Sequence, residues 1–83
     1  MITVRLPPSL RLQGRVALVV EEDVRSLDAL IGVLDRRLPG FRALFDEGGC
    51  NFAVNDEIVL LRVRDRALAP GDIVEVVPAI AGG

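Results

Sequence analysis

Two glycines, Gly82 and Gly83, close the sequence at the end of PAIAGG, residues 78–83, and they are the residues here best suited to chemistry. Small residues let an extended segment enter a narrow channel, and glycine reaches backbone conformations closed to other residues. The group such a probe delivers is the Gly83 carboxylate. A carboxylate is a poor electrophile until one of its oxygens becomes a leaving group, and an ATP-using partner makes one by adenylation. The expectation is a delivery arm. Pro78 ends the folded body, Ala79, Ile80 and Ala81 span a gap, and Gly82 and Gly83 enter a partner's site.

The rest of the chain offers little competition. There is no His among the 83 residues, so Ser-His and Cys-His pairs are excluded. The commonest general base and metal ligand is missing with it. All ten Lys/Arg positions are Arg, which leaves no side-chain amine for Schiff-base or acyl chemistry. Cys50 is the single cysteine. It forms no internal disulfide and reads as a small buried hydrophobe. One cysteine and carboxylates make a poor zinc set, so no metal site is expected. Glu21, Glu22 and Asp23, like Asp56 and Glu57, read as solvated turns. No P-loop and no G-x-G-x-x-G run is present. A net charge of −2 argues against nucleic acid, which demands a basic stripe. No stretch is long and apolar enough to span a membrane. The start reads as a strand from residue 2, not as a signal peptide. A lone cysteine fits a reducing compartment, and the expected location is cytoplasmic.

Elements must position that arm. Hydrophobic residues make up 51% of the chain and only three are aromatic, Phe41, Phe45 and Phe52, so the core is expected to be aliphatic. A single domain of this size buries about 60% of the surface its unfolded chain exposes, enough to fold without staples. Ile2, Val4 and Leu6 alternate with Thr3 and Arg5 in a first strand, stopped by Pro7 and Pro8. A second strand is expected over 15–20 after a turn at Gly14. Ser26 sits at a helix N-cap position with Asp28 in the first turn. Leu27, Leu30, Ile31, Leu34 and Leu38 then mark one helical face, ended by Pro39 and Gly40. Gly32 inside it suggests close approach to a sheet. FRALF, residues 41–45, predicts a short extra turn. CNFAV, residues 50–54, is a third strand, NDE a tight turn, and IVLLRV, residues 58–63, a fourth strand. Pro70-Gly71 predicts a type II turn before IVEVV, the last strand. The order is β-β-α-β-β-β. One long helix covers one face of a mixed sheet and leaves the other partly open. With the first and last strands as parallel neighbours at the centre, this is an α+β, ubiquitin-like β-grasp fold of 4–5 strands, spanning 1–78 with a tail at 79–83.

The order and motifs together resemble the ubiquitin-like sulfur carriers, the superfamily of the molybdopterin synthase small subunit and the thiamine sulfur carrier (MoaD/ThiS). The resemblance spans essentially the whole chain. It is carried by ITVRLPPSLR, SLDALIGVLDRRLPGF, FAVNDE and LAPGDIVEVVPAIAGG. Its most specific part is Leu68, Gly71 and Asp72, an apolar strand, Pro78, and Gly82-Gly83, in that order and spacing. The resemblance implies that an E1-like enzyme adenylates the Gly83 carboxylate using ATP, with no cofactor bound to the chain itself. Sulfur from a persulfide donor then displaces AMP and leaves a thiocarboxylate. The chain would act as a cosubstrate, not as a stand-alone enzyme. Its length and helix point to molybdopterin synthesis, with the tail inserted in the synthase large subunit. That branch typically ends in a double proline before Gly-Gly, whereas Pro78 is single here. With LPPSLR and VNDE, this is closer to carriers feeding a cysteine-synthase-like enzyme. The resemblance also leaves open thiamine or secondary-metabolite synthesis and ubiquitin-like conjugation to protein amines. Exposed apolar residues on the uncovered sheet face are expected to dock the partner, namely Ile73, Val77 and Ile80 beside Pro78, Ala79 and Ala81. Arg5, Arg62, Arg64 and Arg66 either pair with acidic groups of a partner or are solvated.

Overall fold

The computed structural model describes residues 1–11 and 14–79. The strands are β1 (Ile2–Arg5), β2 (Ala17–Val20), β3 (Cys50–Val54), β4 (Glu57–Ile58) and β5 (Ile73–Pro78), and the helices are α1 (Leu27–Arg37) and α2 (Phe41–Asp46). They form one sheet in the order β2-β1-β5-β3-β4. β1 and β5 run parallel at its centre, and the other neighbours are antiparallel. This is the expected mixed sheet with one main helix, a ubiquitin-like β-grasp. No helix among the described residues is long and apolar enough to cross a membrane.

The helix forms where its cap and stripe place it. Ser26 Oγ accepts from the Ala29 N–H at 3.1 Å, satisfying one of the donors that a helix start leaves open. Asp28 in the first turn and Arg36 and Arg37 in the last complement the helix dipole. Leu27, Leu30, Ile31 and Leu34 are fully buried and Leu38 nearly so. They lie over Ile2, Val4, Val20, Phe52, Val54, Val74 and Val76 of the sheet. The few aromatics close one end of that core. The Phe52 ring lies 6.1 Å from Phe41 and 5.4 Å from Phe45, tilted against each, a favourable aromatic geometry.

Three expectations change. β2 starts at Ala17 rather than Arg15, because the Leu6 N–H to Val16 carbonyl bond already closes the ladder. Gly32 does not approach the sheet. A Cβ there would meet the Arg42 guanidinium of α2 at 3.3 Å. The third change is larger. The fourth strand is two residues long, and a last bond from the Val59 N–H to the Phe52 carbonyl ends it. Leu60 and Leu61 are then 78% and 83% exposed. Arg62 turns the chain through a left-handed conformation (φ +49°), and residues 63–65 form a single 3₁₀ turn. An apolar run gives no periodicity, and at a sheet edge only one side of it has a core to face.

That turn sets Arg64 against its own chain at the surface. Its guanidinium bonds Asp28 Oδ1 at 2.8 Å, bonds Asp46, and lies 5.2 Å from the centre of the Phe45 ring. It thus ties the loop to α1 and α2 instead of waiting for a partner's carboxylate. Beside it, the Leu27 N–H bonds the Arg66 carbonyl and the Leu68 N–H bonds the Arg25 carbonyl, both at 2.9 Å.

Candidate functional site

β5, the strand that precedes the expected arm, lies in the middle of the sheet. β5 is hydrogen-bonded on both sides, and its end pairs with the start of β3, Val77 with Asn51 and Pro78 with Cys50. The Ala79 N–H still donates to the Gly49 carbonyl at 3.0 Å. Gly49 holds that position through a close approach, since a Cβ there would sit 2.3 Å from Leu44 Cδ1 and 3.0 Å from the Leu44 carbonyl oxygen. Ile80, Ala81, Gly82 and Gly83, four of the expected site residues, lie outside the described residues.

The start of β5 is fixed by one carboxylate. Asp72 Oδ2 accepts from the Ala69 N–H at 2.8 Å and Oδ1 from Asn55 Nδ2 at 3.0 Å. Asn55 Oδ1 in turn accepts from the Ile73 N–H at 3.0 Å. The Pro70-Gly71 turn is closed by this brace, with Gly71 at φ +91°, a conformation that other residues rarely adopt. Asn55 and Asp56 also have positive φ, as the tight turn between β3 and β4 requires. The Ala69 backbone bond first, and the Asn55 bond second, hold the Asp72 carboxyl below its ordinary range. A lowered folded value means that Asp72 stabilises the fold fully above the ordinary aspartate value of about 3.9. That stability is lost as the pH falls from there through the folded value. Asp72→Ala removes the acceptor of both bonds and is expected to lower stability at neutral pH. Asp72→Asn should flatten the acid limb of the stability curve, read by urea denaturation between pH 3 and 7.

The open face of the sheet is built by register. Thr3 pairs with Val19 and Ile73, Arg5 with Ala17 and Glu75, Glu75 with Ala53, Ala53 with Ile58, and Val77 with Asn51. Residues directly opposite share a face. Ile73 and Val77 thus stand on the uncovered side, as expected, with Glu75 between them. Ile73 is 46% exposed and Val77 half-buried, and Pro78 and Ala79 are exposed. Val19 and Ile58, 47% and 48% exposed, join this face from both edges and were not expected there. Alternation marks the two sides of each strand, but only strand order shows which strands lie side by side.

No described side chain rivals the tail for chemistry. Cys50 is 2% exposed, and burial pushes its thiol up, away from the reactive thiolate. Glu22 is engaged by Arg36 and Arg37. Arg37 also donates to the Val19 carbonyl at 2.8 Å, covering part of the free edge of β2. Among the described residues no cluster of three His, Cys, Asp or Glu is placed to hold a metal.

A β-grasp body with one uncovered face and a final central strand running into a small-residue tail defines a ubiquitin-like protein. The family model of the ThiS family matches residues 5–83. The chain belongs to that family, within the ubiquitin-like sulfur-carrier superfamily that its sequence resembles. Among solved structures it is similar to CysO from the BexX/CysO complex of Amycolatopsis orientalis, at 30% identity over 100% of both chains with a TM-score of 0.78. It shares its fold with a subunit of the molybdopterin-converting factor of Helicobacter pylori 26695, solved as a complex of subunits 1 and 2. There the identity is 21% over 99% of this chain and 97% of that one, with a TM-score of 0.67. Urm1 from Trypanosoma brucei has the same fold, at 23% identity over 99% and 94% of the chains with a TM-score of 0.72. No curated protein sequence matches significantly.

Proposed function

We propose that this chain is a sulfur carrier whose reactive group is the Gly83 carboxylate. The observation that carries this reading is a ThiS-family body whose central strand leads straight into PAIAGG. In the proposed cycle an E1-like enzyme lets the Gly83 carboxylate attack the α-phosphate of ATP, forming an acyl-adenylate and releasing pyrophosphate. The terminal sulfur of a persulfide then attacks the acyl carbon and displaces AMP. A thiol then attacks the donor's sulfur of the resulting acyl disulfide, forming a disulfide with the donor and releasing the thiocarboxylate. The carrier's own residues bind and present; the base and the nucleotide site belong to the partner. Residues 79–83 form the arm in this reading and 1–78 the body.

Sequence resemblance alone directs the sulfur to molybdopterin synthesis, with this chain as synthase small subunit. The single Pro78 and the 30% identity to CysO, against 21% to the molybdopterin-converting factor subunit, favour a second acceptor, a cysteine-synthase-like or secondary-metabolite enzyme. The test is mass spectrometry of the intact protein after incubation with its E1-like enzyme, ATP and a persulfide donor. One oxygen at Gly83 should be replaced by sulfur. Offering the loaded carrier to each acceptor then separates the pathways by the rate at which the sulfur leaves. Amide adducts on other proteins in place of thiocarboxylate would instead make it a protein modifier.

The open face is proposed to dock the partner. Ile73→Asp combined with Val77→Asp is expected to raise the KM for the carrier in adenylation about 10-fold or more, because a charge placed in an apolar contact is left unpaired. Steady-state pyrophosphate exchange measures it. Both positions retain solvent access, so the circular dichroism spectrum should not change.

A further inference from the structure

The two edges of the sheet differ in their protection. Along β2 the Arg37 guanidinium covers the Val19 carbonyl, which blunts that edge. β4 is the other edge, and among the described residues no side chain bonds its backbone. Glu57 pairs with Val54 of β3, and the Val59 N–H bonds the Phe52 carbonyl at 2.9 Å. By the alternation of an antiparallel ladder, Ile58 and Leu60 then turn their N–H and C=O groups away from β3, toward the free side. Leu60 and Leu61 are the most exposed large hydrophobics among the described residues. Asp56 and Arg62 flank this run. Both are exposed, and among the described residues no ion pair engages either.

We propose that the β4 edge pairs with the same edge of a second copy of this chain, antiparallel about a twofold axis at Val59. Residues that exchange ladder bonds stand directly opposite each other, and the outward groups here are those of Ile58 and Leu60. The register that matches them sets Ile58 against Leu60 of the second copy and, at each end, Asp56 against Arg62 of the second copy. A shift by two residues would set Arg62 against Ile58, or Asp56 against Leu60, and lose both charge pairs. The run from Asp56 to Arg62 is thus complementary to itself, which a twofold contact demands. The contact is small, and interfaces under about 1,200 Å² are transient, so the dimer is weak. In the joined sheet both open faces lie on one side. The two β5 strands run in opposite directions five strand spacings apart, about 24 Å. The arms therefore leave from opposite ends, and each stays free for its own partner. This dimer goes beyond the sulfur-carrier reading, which stands or falls separately on loading at Gly83.

Sedimentation equilibrium of the full chain from about 10 μM to about 1 mM tests this. The mean mass is expected to rise from 9.0 kDa toward twice that value. Leu60→Asp is expected to weaken association about 10-fold or more, because it places an unpaired charge in the apolar centre. Asp56→Arg and Arg62→Asp should each weaken it about 10-fold, since like charges then meet at both ends. An equimolar mixture of those two variants should associate about as well as the wild type, because the mixed dimer restores an unlike pair at each end. Arg25→Glu, away from the edge and paired only with exposed Asp23, is the charge control and should associate as wild type. Denaturation midpoints show which variants fold, and Leu60→Asp and Arg62→Asp decide the matter if Asp56→Arg, at a φ of +70°, does not. A mass of 9.0 kDa at every concentration overturns the proposal. So does association indifferent to Leu60→Asp, or a mixture no better than its separate variants. A monomer whose complex with the E1-like enzyme is weakened by Leu60→Asp would assign the edge to that enzyme and overturn the proposal as well.

Discussion

Deleting Gly83 is expected to abolish sulfur loading and to leave the melting temperature of the body unchanged. Each extended residue carries the chain about 3.3–3.6 Å, so a chain ending at Gly82 presents its carboxylate that far short of the partner's nucleotide. A misplacement of about 1 Å already costs on the order of 10²-fold in a reaction that depends on alignment. Adding one alanine after Gly83 moves the carboxylate too far by the same step and replaces the glycine that must fit. Both changes are expected to lower the rate of adenylation at least about 100-fold. The body has no stake in them, because its last described ladder bond is the Ala79 N–H to the Gly49 carbonyl. Mass spectrometry reads the first outcome and a thermal melt the second. A shortened chain that is loaded at the normal rate would place the reactive group elsewhere.

Phe52→Ala is expected to have the largest effect on stability. Phe52 is fully buried, meets Phe41 and Phe45 ring to ring, and pairs with Val76 of β5. Truncating a buried phenylalanine costs about 3–5 kcal/mol through lost transfer energy and the cavity left behind. A small domain has about 5–15 kcal/mol in total, so this change takes a large share of it. Phe52→Leu keeps much of the volume and should cost less. Denaturation in urea should show a lower midpoint at unchanged slope. A loss below about 1 kcal/mol would mean that the aliphatic core closes over the gap, against the usual incomplete relaxation around such cavities.

The parts of this fold that could be read from sequence were those with local causes. Ser26 caps α1 through a bond three residues away, and its leucines repeat at helical spacing whatever they face. Asn55, Asp56 and Gly71 take positive φ because their turns demand it, and those residue types announce such turns. The parallel pairing of the first and last strands at the centre was inferable because a single helix covering one face of a mixed sheet leaves few arrangements. Residues 59–66 were not readable in the same way. Val59, Leu60 and Leu61 are chemically alike, and only the sheet edge decides that Val59 is buried while the leucines are exposed. Arg64 looks like its neighbours Arg62 and Arg66 until Asp28 and Asp46, distant in sequence, come within reach.

The candidate site divides along the same line. PAIAGG is a linear signal, and Ile73 and Val77 follow from alternation along one strand. Val19 and Ile58 join that face only when strands from opposite ends of the chain are laid side by side.

The parallel pairing of β1 with β5 also has a mechanical consequence. A partner that tugs on the arm while gripping the other end of the sheet pulls β5 lengthwise between β1 and β3. The ladder bonds on both flanks then share the load in shear, where a hairpin pulled from its open end would give way one bond at a time. β5 is paired on both sides, so in the proposed cycle the arm is drawn into a partner's site and withdrawn without unravelling the body.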